Sequence, residues 1–481
     1  MTTSLEQQAK SLLSAAPVSV QLPAGTGKTH LLAAAVNEAA KQGHRSLILT
    51  HTNAGVDAIR KRLSQFGVPP KLYRVDTIAG WAFKLAKSYQ VIAGIRIPDT
   101  PDWTQSGQYM EGAIKVASSS SIKEVIRLSY DYLLVDEYQD CVKDQHHFIL
   151  TLHESIPRTI VFGDPLQGIF GFKDNVLVSW DEDVVGVFPP HHVELIPYRW
   201  LNTNPSLGKL TLDIRPKLFD GNIIDLSGRE NEGVFYLSGD PDKNLQTACY
   251  SLTNKNESVT VLTDWPSEED RIAQQLSGFF NVVEPITGNR MIKSLKDLPK
   301  EGDPRIAHWF AETAKKFHIG ISRIDTPLLD KLNSGESVAG LSRKGLQQLI
   351  DALAYLQQNP SYQALLEVES VPGKIGNVRC PYREAWRDIF RAIKYGIEEG
   401  SSDMVENLSV IRSKYKHMER RLPRLVVSRT LIVKGLEFDH VVISDLQKFS
   451  DPRHLYVALS RAKKSVTVLG LTPTVRLQIT K

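Results

Sequence analysis

The chain has 481 residues, a formal charge of +4, and average shares of apolar (42%) and charged (23%) side chains. At ~150 residues per domain this length calls for about three or four folding units. No apolar run approaches ~18 residues, and the opening MTTSLEQQAK lacks the basic-then-apolar order of a signal peptide, so neither a membrane span nor a leader is expected. Cys141, Cys249 and Cys380 stand far apart without a C-x-x-C pair, which excludes a disulfide framework and a cysteine zinc site and points to a reducing, cytoplasmic setting. The mild positive charge permits a polyanionic partner without requiring one.

In chain order, a β-branched run over 18–22 breaks at Pro23-Ala-Gly-Thr-Gly-Lys-Thr29 and gives way to an Ala-rich stretch over 30–40. The pattern predicts a strand, a glycine turn and a helix start. Gly25 and Gly27 let the backbone curl so that its N–H groups point inward, and the helix N-terminus adds positive potential, a cradle for polyphosphate formed by Pro23, Ala24, Gly25, Thr26, Gly27, Lys28, Thr29 and His30. Lys28 is expected to reach the β- and γ-phosphates of a nucleotide such as ATP, and Thr29 to hold Mg²⁺. Leu22 occupies the place of the first glycine in the general pattern.

Further strands are predicted over 46–50, 72–75, 132–135 and 159–162, alternating with amphipathic helices, which specifies an α/β unit with a mostly parallel sheet. From 86 to 121 the pattern lapses into Pro, Ser, Gly and polar residues and reads as a small insertion. A second α/β unit starts near Val193, continues through 234–236 and 258–262, stops near 285, and resumes at 424–427, 441–444 and 465–469. Helical patterns over 304–317, 343–357, 382–397 and 404–422 fill the interval. The expected domains are therefore 1–85 with 122–190, 191–285 with 422–481, and the inserts 86–121 and 286–421.

Two turns carry the chemistry. The strand over 132–135 ends in Asp136-Glu-Tyr-Gln-Asp140, where Asp136 is placed for Mg²⁺ or its waters and Glu137 to orient and deprotonate an attacking water. The strand over 159–162 runs into Gly163-Asp-Pro-Leu-Gln-Gly-Ile-Phe-Gly-Phe172. There Gln167 is set to contact either the γ-phosphate or the water, and Phe170 and Phe172 either offer ring faces to nucleobases or fill a core.

Taken in order, PAGTGKT at 23–29, DEYQD at 136–140, GDPLQGIFGF at 163–172, PYRW at 197–200, VKGLEFDHV at 433–441 and YVALSRA at 456–462 resemble the superfamily 1 DNA helicases of the UvrD/Rep type. The resemblance implies two RecA-like P-loop domains that hydrolyse ATP with Mg²⁺ in the cleft between them and step 3′ to 5′ along single-stranded DNA, or along its junctions with duplex. By position it makes Gln8, or its neighbour Gln7, the reader of the adenine edge and Tyr198 its stacking ring. It gives Arg199 and Arg461, the latter in a helical pattern over 454–464, the role of second-lobe cations on the γ-phosphate. Gly435 and Glu437 become second-lobe nucleotide contacts. For the track it assigns His51, Thr52, Asn53, Thr77 and Trp81, with Phe170, Phe172 and Lys173 standing where the family has Tyr, Trp and Arg. The chain departs from the family at His51, usually an aromatic, and at Leu431, usually a histidine. Trp309, Trp386 and the basic run over 412–424 either grip duplex or are core and solvated surface. An alternative role is a DNA-stimulated ATPase that senses or loads for a partner nuclease, as in bacterial antiviral defence. A small-molecule kinase is disfavoured by Gln167 and the paired arginines.

Overall fold

The computed structural model describes residues 4–99, 102–171, 176–253, 256–283, 288–321, 324–415 and 423–479. The first sheet comprises β1 (Val18–Gln21), β2 (Ser46–Thr50), β3 (Tyr73–Thr77), β4 (Tyr132–Val135) and β5 (Thr159–Gly163), in the order β1-β5-β4-β2-β3 with every neighbouring pair parallel. Successive side chains in a strand face opposite ways, and both faces of this sheet are covered. Leu47, Leu49, Leu133, Val135 and Val161 enter one core, and Ile48, Leu134, Ile160 and Phe162 the other. Burial on both sides is why the central strands β2, β4 and β5 read as nearly unbroken apolar runs. Because all five point the same way, the loops after β1, β2, β4 and β5 emerge at one edge, the edge at which open α/β sheets bind ligands.

The segment 86–121 differs from its irregular reading. It holds the helix Ser106–Ser118, whose Tyr109, Met110, Ala113, Val116 and Ala117 pack in the first-sheet core with Ile78, Ala82 and Phe83 of the helix Ile78–Ser88. Those five positions recur at helical spacing; Gly112 among them is itself buried against Ile95 and Ala93, and the exposed Ser106, Gly107 and Ser118 at the helix ends mask the pattern.

The second sheet contains β7 (Val234–Ser238), β8 (Val259–Thr263), β9 (Asn281–Val282), β10 (Leu425–Arg429), β11 (Phe438–Ile443) and β12 (Ala462–Gly470), again parallel throughout, in the order β7-β12-β11-β8-β10-β9. A short ribbon, β6 (Ile223–Asp225) against β13 (Thr474–Arg476), is antiparallel. The first regular element of the second unit is the helix Pro205–Asp213, capped by Asn204, and Trp200 just ahead of it already lies in that unit's core. The architecture is the expected pair of RecA-like α/β domains.

Between β9 and β10 the chain leaves the sheet for a helical insertion. These two strands pair side by side, so the excursion departs and returns at adjacent positions and leaves the sheet order undisturbed. Helices including Ile306–Phe317, Gln347–Gln358 and Arg383–Glu399 enclose a single core. Trp309 and Trp386 both belong to it, with the Trp386 ring 4.7 Å from Phe390 and 4.6 Å from His318. The tryptophans are therefore core. The helix Met404–Tyr415 covers only the start of the basic run, and residues 416–422 lie outside the described residues.

Candidate active site between the two sheets

The loop after β1 has the conformation that its glycines allow. Gly25 and Gly27 adopt φ of +76° and +86°, left-handed values that residues with a Cβ avoid. The second lobe packs directly on them. A Cβ at Gly25 would come within 2.7 Å of the Trp200 ring, and one at Gly27 within 2.8 Å of the Tyr198 ring. Thr26 turns back on Pro23, its N–H and hydroxyl both donating to that carbonyl. Gly27 then caps the helix Lys28–Lys41; its carbonyl accepts the His30 and Leu31 N–H groups, which leaves those of Lys28 and Thr29 to an anion.

Beside this cradle sit the acids from the end of β4. Nζ of Lys28 lies 2.6 Å from Oε2 of Glu137 and 3.7 Å from Oδ1 of Asp136. Burial alone would lower the Lys28 pKa, but the two carboxylates outweigh it and hold the ammonium above its usual range. Burial likewise pushes Glu137 up, yet Lys28 and Lys434 reverse the balance and bring it down to about 2. Asp136 goes the other way, to about 6, because its burial exceeds what Lys28 returns. Glu137 also has φ +55°, a left-handed value that costs a non-glycine residue on the order of 1–3 kcal/mol and is concentrated at functional sites. Among the described residues no cluster of three His, Cys, Asp or Glu gathers for a metal. Mg²⁺ is held in another way, by only one or two protein oxygens with its waters kept, and the acid beside the cradle is Asp136 at the end of β4.

From the second lobe, Arg199 donates its backbone N–H to Gly25 O at 3.1 Å, while its guanidinium pairs with Glu437 at 2.8 Å and bonds the Ser460 carbonyl. Arg461 is 1% exposed. It does not lie within a helix, as the 454–464 pattern suggests, but at the junction where Pro452–Ser460 ends and β12 begins, because pairing with β11 and β7 captures the chain from Ala462 onward. Its guanidinium bonds Val457 O, Leu436 O and Ser460 Oγ, and approaches Gln167 Oε1 at 3.5 Å. Burial and the neighbouring Arg199 bring its pKa down to about 9. Gly435 turns at φ +85° ahead of Glu437. Tyr198 is 42% exposed, its ring 6.4 Å from that of His30.

Several cleft residues escaped the sequence reading. Lys434 reaches across to Asp140 at 2.6 and 2.7 Å and to Gln167 O at 2.5 Å, and lies 4.7 Å from the Phe170 ring centroid. Arg215 forms a bidentate pair with Asp164, at 2.8 and 3.0 Å. The Tyr456 hydroxyl accepts the Ala24 N–H at 3.0 Å. Lys434, Asp140, Asp164 and Tyr456 all lie inside the motifs quoted above, so the signal was present though no role was drawn from it; Arg215 lies outside every motif.

The expected track residues divide. The Thr52 and Thr77 hydroxyls cap helices by accepting from Gly55 and Gly80 at 3.0 and 2.9 Å, which leaves each O–H free to donate. Asn53 is exposed in the first turn that Thr52 caps. His51 lies 3.5 Å from Cys141 Sγ, and burial, reinforced by Lys434, lowers its pKa to about 4, so it stands there as a neutral ring. Phe170 is 36% exposed. Trp81 is not at the surface: it is buried against Phe148 at 5.7 Å, leaving its ring no face for a base. Phe172 and Lys173 lie outside the described residues. Gln8 sits on the helix Ser4–Ala15 with its amide donating to Ser4 Oγ at 3.3 Å. A cavity of about 450 Å³ lies away from all of these, in the insertion between Leu366, Arg387 and Lys394.

Residues 108–178 match the family model of the UvrD/REP helicase N-terminal domain. That stretch holds β4 and β5 with Asp136, Glu137, Gln167 and Phe170, and begins inside the helix Ser106–Ser118. No curated protein matches the chain. A crystal structure of Pif1 helicase from Candida albicans aligns over 98% of this chain and 94% of its own, at 12% identity and a TM-score of 0.40, a likeness too loose to bear on function.

Proposed function

We propose, taking the chain as a superfamily 1 helicase of the UvrD/Rep type, that it is an ATP- and Mg²⁺-dependent motor on single-stranded DNA, moving 3′ to 5′. The observation that supports this most is the meeting of opposite chemistries across the cleft: a phosphate cradle, Lys28 and Glu137 on one lobe, Arg199 and Arg461 on the other. In this reading the cradle and Lys28 bind the β- and γ-phosphates, and Glu137 accepts the proton of the attacking water. Arg199 and Arg461 neutralise charge as the γ-phosphoryl departs, which ties turnover to lobe closure. Thr29 and Asp136 would hold Mg²⁺, which when bound draws charge from the phosphates. Tyr198 and Gln8 flank the base, and Gly435 and Glu437 approach from the second lobe.

Phe170, His51, Thr52, Asn53 and Thr77 are the proposed contacts to the strand, binding phosphates and stacking bases without reading sequence. Purified protein should hydrolyse ATP faster with single-stranded DNA than with duplex or RNA, and should open tailed duplexes of one polarity. An ATPase rate indifferent to DNA would sink the motor reading. The burial of Trp309 and Trp386 takes away two candidate duplex contacts, and with inserts this short a second reading is a sensing or loading ATPase that works with a nuclease and unwinds little by itself. Strand displacement measured with and without the candidate partner separates the two.

A further inference from the structure

The sequence leaves two uses open for Gln167: the γ-phosphate, which needs a donor, or the attacking water, which needs an acceptor. One end of its side chain is already committed. Nε2 donates to Oδ2 of Asp164 at 2.8 Å, while Oε1 faces Nη2 of Arg461 at 3.5 Å. Turned round, the amide would set its oxygen against a carboxylate, acceptor to acceptor, so the hydrogen-bond network fixes the assignment.

Asp164 is in turn fixed from both lobes. Fully buried just past β5, it accepts the Leu166 N–H at 3.2 Å and two parallel bonds from Arg215 at 2.8 and 3.0 Å. Its own N–H donates to Oε1 of Gln139 at 2.9 Å, and Nε2 of Gln139 ends on Glu137 at 2.5 Å. One run of hydrogen bonds therefore connects Glu137, Gln139, Asp164, Gln167 and Arg461, with Arg215 as its anchor in the second lobe. Arg215 rides on the helix Arg215–Phe219, its guanidinium 4.8 Å from the Tyr456 ring centroid.

We propose that Asp164, held by Arg215, is a positioning residue that sets Gln167 with its oxygen toward the attacking water, and does so only while the two lobes are engaged. The inference rests on the nucleotide hydrolysis proposed above. Parting the lobes withdraws the bidentate partner, and the carboxylate must exchange it for water or another donor. Gln167 then loses the group that orients it. Hydrolysis waits on closure through this contact as well as through the arginines.

The test is Asp164→Asn, which keeps the volume but can present an N–H to Gln167 and so lets that amide turn. The kcat of DNA-stimulated ATP hydrolysis should fall on the order of 10- to 100-fold, with the KM for ATP changed by less than about threefold. Combined with Gln167→Ala, Asp164→Asn should slow turnover no further than Gln167→Ala alone, the non-additivity expected of residues acting as one unit. Arg215→Lys, which keeps the charge but loses the fork, should give a smaller loss of the same kind and carries the test if a thermal melt shows Asp164→Asn unfolded. Wild-type kcat in a folded variant, or losses that multiply with Gln167→Ala, would overturn the proposal and leave the pair as a lobe tie. Lys28→Ala serves as the control. If it too turns over like wild type, the nucleotide site itself is misread; if it is inactive while Asp164→Asn and Arg215→Lys are not, only the positioning role fails.

Discussion

Two regions of this molecule are equally well buried and unlike in what they bury. The insertion encloses Trp309, Phe310, Phe317, Trp386 and Phe390, rings packed on rings. The cleft encloses Lys28, Asp136, Asp140, Asp164, Arg215 and Arg461, charges packed on charges. Apolar burial stabilises by itself, whereas a buried ion pair recovers little more than its desolvation cost and is often matched by well-packed apolar residues. The insertion's interior therefore accounts for its own folding. The cleft's does not, and perturbed carboxylates and cations gathered in one place are the mark of a site.

The sharpest way to break this contrast is Arg461→Met. Because burial and Arg199 disfavour its charge, removing it should leave the melting temperature unchanged or higher, while DNA-stimulated turnover falls on the order of 10³-fold or more, the range for such arginines. A large loss of stability with turnover intact would make Arg461 a structural residue. Next is Lys434→Met. Asp140 is raised by burial, despite Lys434, from 3.8 to about 6; between those values the folded chain keeps a proton that the unfolded chain has released, so this group's contribution to stability declines as pH rises through that window. Without Lys434 the ionised, buried Asp140 has lost its cation, and denaturant titrations should show a loss of about 3–5 kcal/mol above pH ~6 that shrinks toward pH ~4. A loss independent of pH would remove Asp140 from the account.

Trp386→Ala tests the other side. It should destabilise the insertion by about 3–5 kcal/mol, read as a separate or earlier melting step, while DNA-stimulated hydrolysis below that step stays near wild type. The smallest effect is expected from Phe170→Ala, a loss of ~1–3 kcal/mol in strand affinity by fluorescence anisotropy with DNA-free hydrolysis unaltered. Equal losses in both would show the ring to be core.

What could be read without coordinates follows the same divide. The first lobe's contribution is local: a strand, a turn and a helix start carry Lys28, and a strand with its turn carries Asp136 and Glu137, so a few consecutive residues suffice. The second lobe's is scattered over Arg199, Arg215, Lys434 and Arg461, brought together by a sheet whose strands lie on either side of a long excursion. Arg199 and Arg461 were reachable only through the ordered resemblance, and Arg215, in a short helix with no pattern of its own, not at all. Trp81 went astray because a tryptophan one turn into a helix looks the same from the sequence whether it faces a track or a core. Strand pairing overrode a helical pattern at Arg461, and helical spacing hidden among Ser and Gly was missed at 106–118.

The glycines of the loop after β1 have a second use that follows from their neighbours. Trp200 and Tyr198 lie where side chains at Gly25 and Gly27 would begin, so the loop is a mould against which the opposite half-molecule is seated. A methyl group at either place would be a wedge as much as a local kink, propping the halves ajar and keeping the distant cations from their target even in a chain that folds.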